Sequence, residues 1–147
     1  MANNSRLYIP AFSGIYQSLS PYMEPLLRVV AGLLLIPHGL PKAGLIGGSG
    51  VAGAAQFLEK VGYYPGMFWA FVLIVLELVG GVLFAVGLFT RLIALLLVIE
   101  FINILYVQYP RGWSAMEFPL LWLIVFLYFM IRGGGKLSVD SKLGREF

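Results

Sequence analysis

The sequence has no cysteine, one histidine and few charges. Without cysteine there are no disulfides, no thiolate redox chemistry, no iron–sulfur cluster and no cysteine zinc site. One histidine rules out a bis-histidine haem within a single copy. No Glu-x-x-His pair is present to build a carboxylate-bridged metal site, so no protein-bound metal is expected. No Ser-His-Asp arrangement or nucleophile elbow occurs. Gly47-Gly48-Ser49-Gly50 is glycine-rich but lacks the Lys-Ser/Thr of a phosphate loop, and reads as a flexible turn. Charged residues make up only 12% of the chain, against about a quarter in a typical soluble domain. The net charge of +3 is small and scattered, which argues against nucleic acid as a partner.

Apolar residues account for 60% of the 147 positions and aromatics for 15%. This composition leaves room for one integral membrane domain. Four apolar runs are expected to cross the bilayer, at about residues 26–45, 67–89, 92–109 and 114–131. The fold expected is an all-α membrane protein, a four-transmembrane-helix bundle with a short interfacial helix between the first two spans. That short helix covers Val51–Val61, with Val51, Ala54, Ala55, Leu58 and Val61 on one face. Residues 1–25 read as an interfacial arm carrying Tyr8, Phe12, Tyr16 and Tyr22, or else as a loose tail. Residues 133–147 read as a polar, basic tail. No apolar stretch followed by a small-residue cleavage site opens the chain, so no signal peptide is expected and the first span serves as the insertion signal.

The ionisable residues inside these runs are the informative ones. A carboxylate at mid-membrane depth costs roughly 2.5–3.5 kcal/mol on insertion scales, so each marks a candidate site. Glu77 lies near the middle of the second span and Glu100 near the middle of the third. Asn103 shares a face with Glu100. In the first span Arg28, Ala31, Leu35, His38 and Lys42 fall on one stripe, predicted to face other helices. Pro37 and Pro41 predict a kink or unwinding around Pro37-His38-Gly39, which is tolerated only beside protein or a polar cavity. Gly39, Gly80 and Gly81 are small residues suited to close helix packing. Glu117 follows Ser114 in a capping-box pattern and reads first as a helix cap. For Arg28, His38, Lys42, Glu77, Glu100, Asn103 and Glu117 together, two readings stand. One is a polar pocket that binds a small amphipathic molecule or relays protons. The other is a structural ion-pair network, with His38 as a hydrogen-bonded core residue.

Basic residues predict topology. Arg6, Arg28, Arg91, Arg132, Lys136, Lys142 and Arg145 fall on the side of the termini, against Lys42, Lys60 and Arg111 opposite, seven to three. Both termini are therefore expected in the cytoplasm, with the chain in a bacterial inner membrane.

The segments LLRVVAGLLLIPHGLPKAG, FLEKVGYYPG, ELVGGVLFAVGLFTR and RGGGKLSVDSKLG, in that order, resemble the DoxX family of small four-helix membrane proteins over about residues 26–145. By that resemblance Arg28, His38, Gly39, Lys42, Glu77, Gly80, Gly81, Glu117, Ser138 and Asp140 fall on recurrent family positions. Glu100 and the N-terminal arm fall outside them. The family includes the membrane subunit of thiosulfate:quinone oxidoreductase and proteins attached to redox-defence complexes. The resemblance implies fold more firmly than function.

Three functions follow as expectations. The first is a membrane subunit of a redox complex, with quinone as the cofactor and an oxidoreductase partner delivering electrons. There His38 or Lys42 would bond a quinone oxygen and Glu77 would exchange protons. The second is a non-catalytic anchor or assembly factor whose tails dock a soluble partner. The third, less favoured, is a small-molecule permease built from several copies of the chain, although no inverted repeat is evident.

Overall fold

The computed structural model describes residues 8–145. Every regular element in that range is helical. After a short 3-10 turn come α1 (Ser13–Ala43), α2 (Gly50–Lys60) and α3 (Gly66–Val75). A π-helical segment, Leu76–Gly80, joins α3 to α4 (Gly81–Val86). The chain continues as α5 (Thr90–Gln108), α6 (Trp113–Arg132) and α7 (Val139–Leu143). Four stretches are long and apolar enough to cross a membrane: Pro10–Ala43, Gly66–Val86, Thr90–Arg111 and Trp113–Arg132. The protein is thus a multi-pass membrane bundle. Its outward apolar side chains, such as Leu33, Val75, Leu95 and Ile124, are exposed as lipid-facing residues should be.

The first span differs from its expected form. Helix begins at Ser13, so much of the expected arm is the start of α1; residues 1–7, including Arg6, lie outside the described range. At 31 residues α1 is about 46 Å long, well over the roughly 30 Å of a hydrocarbon core. It also stays helical through Pro21, Pro25, Pro37 and Pro41, so of the kink or unwinding expected around Pro37-His38-Gly39 the unwinding does not occur. Gly44, at φ 75°, ends the helix in left-handed conformation, its N–H shared between the Leu40 and Pro41 carbonyls.

The helices assemble as two antiparallel pairs. α1 packs on α4 and the π segment, and α5 packs on α6 along its length. Close approach of α1 to α4 depends on Gly32 and Gly81. A Cβ on Gly32 would lie 2.7 Å from the Ala85 nitrogen, and one on Gly81 would lie 2.8 Å from the Gly32 oxygen. The pairs meet around Phe84, Phe126 and Phe129, all fully buried. Phe84 packs edge-on against Phe126 and Phe129, with centroids 5.3 and 5.2 Å apart, an arrangement worth about 0.5–1.5 kcal/mol per pair beyond burial. The interfacial helix α2 packs on α3.

The segment after α6 is not a free tail. Arg28, 2% exposed, donates from Nε to the Ala85 carbonyl and from Nη2 to the Leu137 carbonyl, at 3.3 and 2.9 Å; Nη1 donates to the Gly134 carbonyl. The Ser138 hydroxyl caps α7 by accepting from the Ser141 N–H. Asp140 accepts from the backbone N–H groups of Phe89 and Thr90 and from the Thr90 hydroxyl. These bonds fold residues 134–140 onto the end of the bundle where the described chain starts and finishes. That end is called the terminal side below.

Candidate functional site

Between α3 and α5 the two pairs splay apart. α4 and the π segment touch α5, whereas α3 and α5 make no extensive contact. The result is a groove of about 860 Å³, within the range of small-molecule sites. Its walls are apolar, with Phe68, Val72, Leu76 and Leu83 on one side and Leu96 and Ile99 on the other. α2 and the α2–α3 connection cover its end away from the terminal side through Phe57, Leu58 and Tyr63.

Three charged residues converge on this groove. Lys42 reaches from the last turn of α1 and donates to both oxygens of Glu77, at 2.5 and 2.7 Å. The Lys42 side chain is 34% exposed and that of Glu77 only 5%. The ion pair therefore has a wet end and a dry end. Glu77 sits within the π segment, where the backbone departs from the α-helical repeat; such segments recur at functional sites. Glu100 faces the same space from α5 and is 6% exposed. It interacts electrostatically with both Glu77 and Lys42. Its Oε2 is buried without a hydrogen-bond partner. One ammonium thus faces two carboxylates in apolar surroundings. One ion pair is satisfied, and the other carboxyl keeps a buried oxygen without a hydrogen-bond partner among the described residues.

Polar groups line the groove toward α2. The Tyr63 hydroxyl donates to Asn103 Oδ1 at 2.5 Å, and Asn103 Nδ2 donates to the Ile99 carbonyl at 2.7 Å. Glu59 accepts from the Gly66 N–H at 3.1 Å, fixing the start of α3.

A family model for DoxX matches residues 25–109, more than half of the chain. The chain belongs to the DoxX family. It is 30% identical over 139 residues to an uncharacterized protein of Haemophilus influenzae, covering 86% of this chain and 94% of that one. It is 32% identical over 117 residues to a Bacillus subtilis protein named "Putative oxidoreductase CatD", covering 78% and 82% of the two chains. No solved structure matches it.

In this DoxX protein Lys42, Glu77, Glu100 and Asn103 line one space. Arg28 does not join them. It lies at the terminal side, spent on three backbone carbonyls. His38 is also elsewhere. The buried line of α1 runs through Arg28, Ala31, Gly32, Leu35 and Gly39, and His38 falls beside it, exposed. Its Nδ1 donates to the Leu34 carbonyl one turn back at 2.9 Å, so the ring is satisfied within its own helix. Glu117 is exposed and caps nothing. α6 starts two residues earlier than the capping pattern implied, with Gly112 in place of Ser114 as its N-cap and no side-chain bond. Gly39 brings α1 against the site itself, since a Cβ there would sit 2.8 Å from Leu78 Cδ2 and 3.1 Å from Glu77 Cβ. Gly80 approaches α5, where a Cβ would meet Ile93 Cγ2 at 3.6 Å. The sequence carries no mark that assigns Tyr63 to the site. It also gave no sign of the π segment under Glu77.

Proposed function

We propose that this DoxX protein is a membrane subunit of a redox complex whose groove binds a quinone. The observation that carries this reading is the meeting of a long apolar groove, open between α3 and α5, with the buried carboxylates of Glu77 and Glu100 and the half-buried Lys42. A quinone has the matching form: a polar ring and an apolar tail. Lys42 donates to a ring oxygen, a role for which His38 is no longer placed. Glu77 and Glu100 exchange the protons. Reduction of a quinone to a quinol takes two electrons and two protons. The electrons come from an oxidoreductase partner and the protons pass through the carboxylates. The name of the CatD relative supports a redox association. The basic residues Arg132, Lys136, Lys142 and Arg145 lie exposed on the terminal side, which supports a cytoplasmic position for that side of a bacterial inner membrane.

Trp69 lines the groove and provides the test. In nanodiscs, titration with a short-tailed quinone is expected to quench Trp69 fluorescence saturably, with Trp69→Phe as the background. Lys42→Met is expected to weaken the binding at least tenfold. Unsaturable quenching, or a Lys42→Met protein that binds as well as wild type, sinks the assignment.

An anchoring role keeps one supporting observation. On the terminal side the 3-10 turn and the first turns of α1 expose Phe12, Ile15, Tyr16 and Leu19. A soluble partner held there is lost when these four are changed together to serine while quinone binding persists.

A further inference from the structure

The groove is polar along one wall and in one direction. From Glu100 toward the side opposite the termini, α5 and the turn after it present Asn103, Gln108 and Arg111 to the groove. Asn103 and Gln108, five residues apart, do not share one helix face, but all three residues line the groove and with Glu100 make a broken polar stripe about 16 Å long from mid-membrane to the surface. Tyr63 adds a hydroxyl from the facing wall. The stripe ends in exposed Arg111, and Lys42 opens to the same side. Toward the terminal side the groove stops at Leu83 and Ile93. Around that end Phe84, Ala94, Leu97 and Phe126 are fully buried, an apolar layer without polar foothold for water that separates the groove from Arg28, Thr90 and Asp140 at the terminal side.

The groups that face Glu100 are few. Glu77 comes from the π segment and Lys42 from α1. α6 packs on α5 through Trp122 and Phe126 against Phe101, and these do not titrate. At the mouth stand Tyr63 and Arg111, with Glu59 engaged at the start of α3.

The geometry points to a one-sided proton path: Glu100 exchanges protons with the aqueous phase opposite the termini, along the Asn103–Gln108–Arg111 wall, and is sealed from the terminal side. This rests on the reading of the carboxylates as proton-exchanging groups and adds the side from which protons come. Water between these polar stops relays the proton. Each uptake converts the Glu100 carboxylate to the carboxylic acid, and each release returns it to the carboxylate.

The test uses the full chain in proteoliposomes of uniform orientation, with membrane-impermeant buffers setting the pH of each side separately. Dicyclohexylcarbodiimide, which enters from lipid and reacts with protonated carboxyls, labels Glu100, and mass spectrometry reads the yield. Raising the pH opposite the termini is expected to lower Glu100 labelling several-fold, and the same change on the terminal side to leave it unaltered. Asn103→Leu, checked for an unchanged unfolding midpoint, is expected to slow the response at least tenfold. Labelling that follows the terminal side, both sides equally or neither side overturns the path. So does an Asn103→Leu protein that responds as fast as wild type. No quinone is present in this assay, so failure to bind quinone and failure of the path are separate results.

Discussion

Asp140 caps the helix that begins at Thr90. Its carboxylate accepts the Thr90 N–H at 2.9 Å and the Thr90 hydroxyl at 2.8 Å, across 50 residues of chain. It also accepts the N–H of Phe89 at 2.8 Å. Phe89 stands in left-handed conformation at φ 53°, which costs a residue with a side chain about 1–2 kcal/mol. A sharp α4–α5 turn is thus held by an acid from the other end of the chain. Asp140→Ala leaves buried donors bare and is expected to cost about 2–4 kcal/mol. Asp140→Asn keeps one acceptor and should lose less. Unfolding in mixed detergent micelles, followed by far-ultraviolet circular dichroism, measures both. An alanine variant within about 0.5 kcal/mol of wild type contradicts the cap.

Gly14 and Gly32 lie on the same helix and invite the same substitution with opposite results. Both glycines give up helix propensity, so alanine at either gains up to about 1 kcal/mol on that account alone. At Gly14 nothing lies within 4 Å of the added Cβ, and the gain should be realised. At Gly32 the Cβ would press on the Gly81 carbonyl and the Ala85 backbone and side chain of α4. Backbone cannot yield as a side-chain tip does, so overpacking of about 1–3 kcal/mol outweighs the gain. Gly14→Ala is expected to be neutral or stabilising and Gly32→Ala destabilising in the same assay. Equal effects at the two positions would show that α1 and α4 are not in such close contact.

The membrane class and the four spans were legible because they rest on long apolar runs, a signal no tertiary contact can reverse. Glu77 and Glu100 were legible from the cost of a carboxylate at their depth. His38 was misjudged because a polar residue near buried positions was given to the same stripe, whereas α1 turns Gly39 inward and lets the imidazole bond its own helix. Arg28 lies at the end of the bundle where the count of basic residues puts it, but periodicity along one helix does not tell what it binds there. That depended on Gly134 and Leu137, more than 100 residues away. The polar composition of residues 133–147 suggested a tail for the same reason: its partners, Arg28 and the start of α5, are remote in sequence. The π segment had no sequence signal, since its residues are ordinary for a membrane helix apart from Glu77.

The Lys42–Glu77 pair separates what the site does for stability from what it does for a ligand. Lys42→Met removes the cation from a carboxylate whose side chain is 5% exposed. Breaking buried pairs costs about 3–5 kcal/mol, and about 3 is expected here because Lys42 is partly wet. Glu77→Gln alone leaves an ammonium that can turn to water, so its loss should be smaller. The double variant Lys42→Met/Glu77→Gln buries no charge from this pair, and is expected to recover most of the single lysine loss. A double-mutant cycle on unfolding free energies reads the coupling directly. Additive losses would mean that the pair contributes no specific interaction. The recovered double variant then serves as a folded protein without the cation, in which quinone should no longer quench Trp69. If it still binds, the ion pair is a structural strut between α1 and the π segment, and recognition has to be sought in the Tyr63–Asn103 end of the groove.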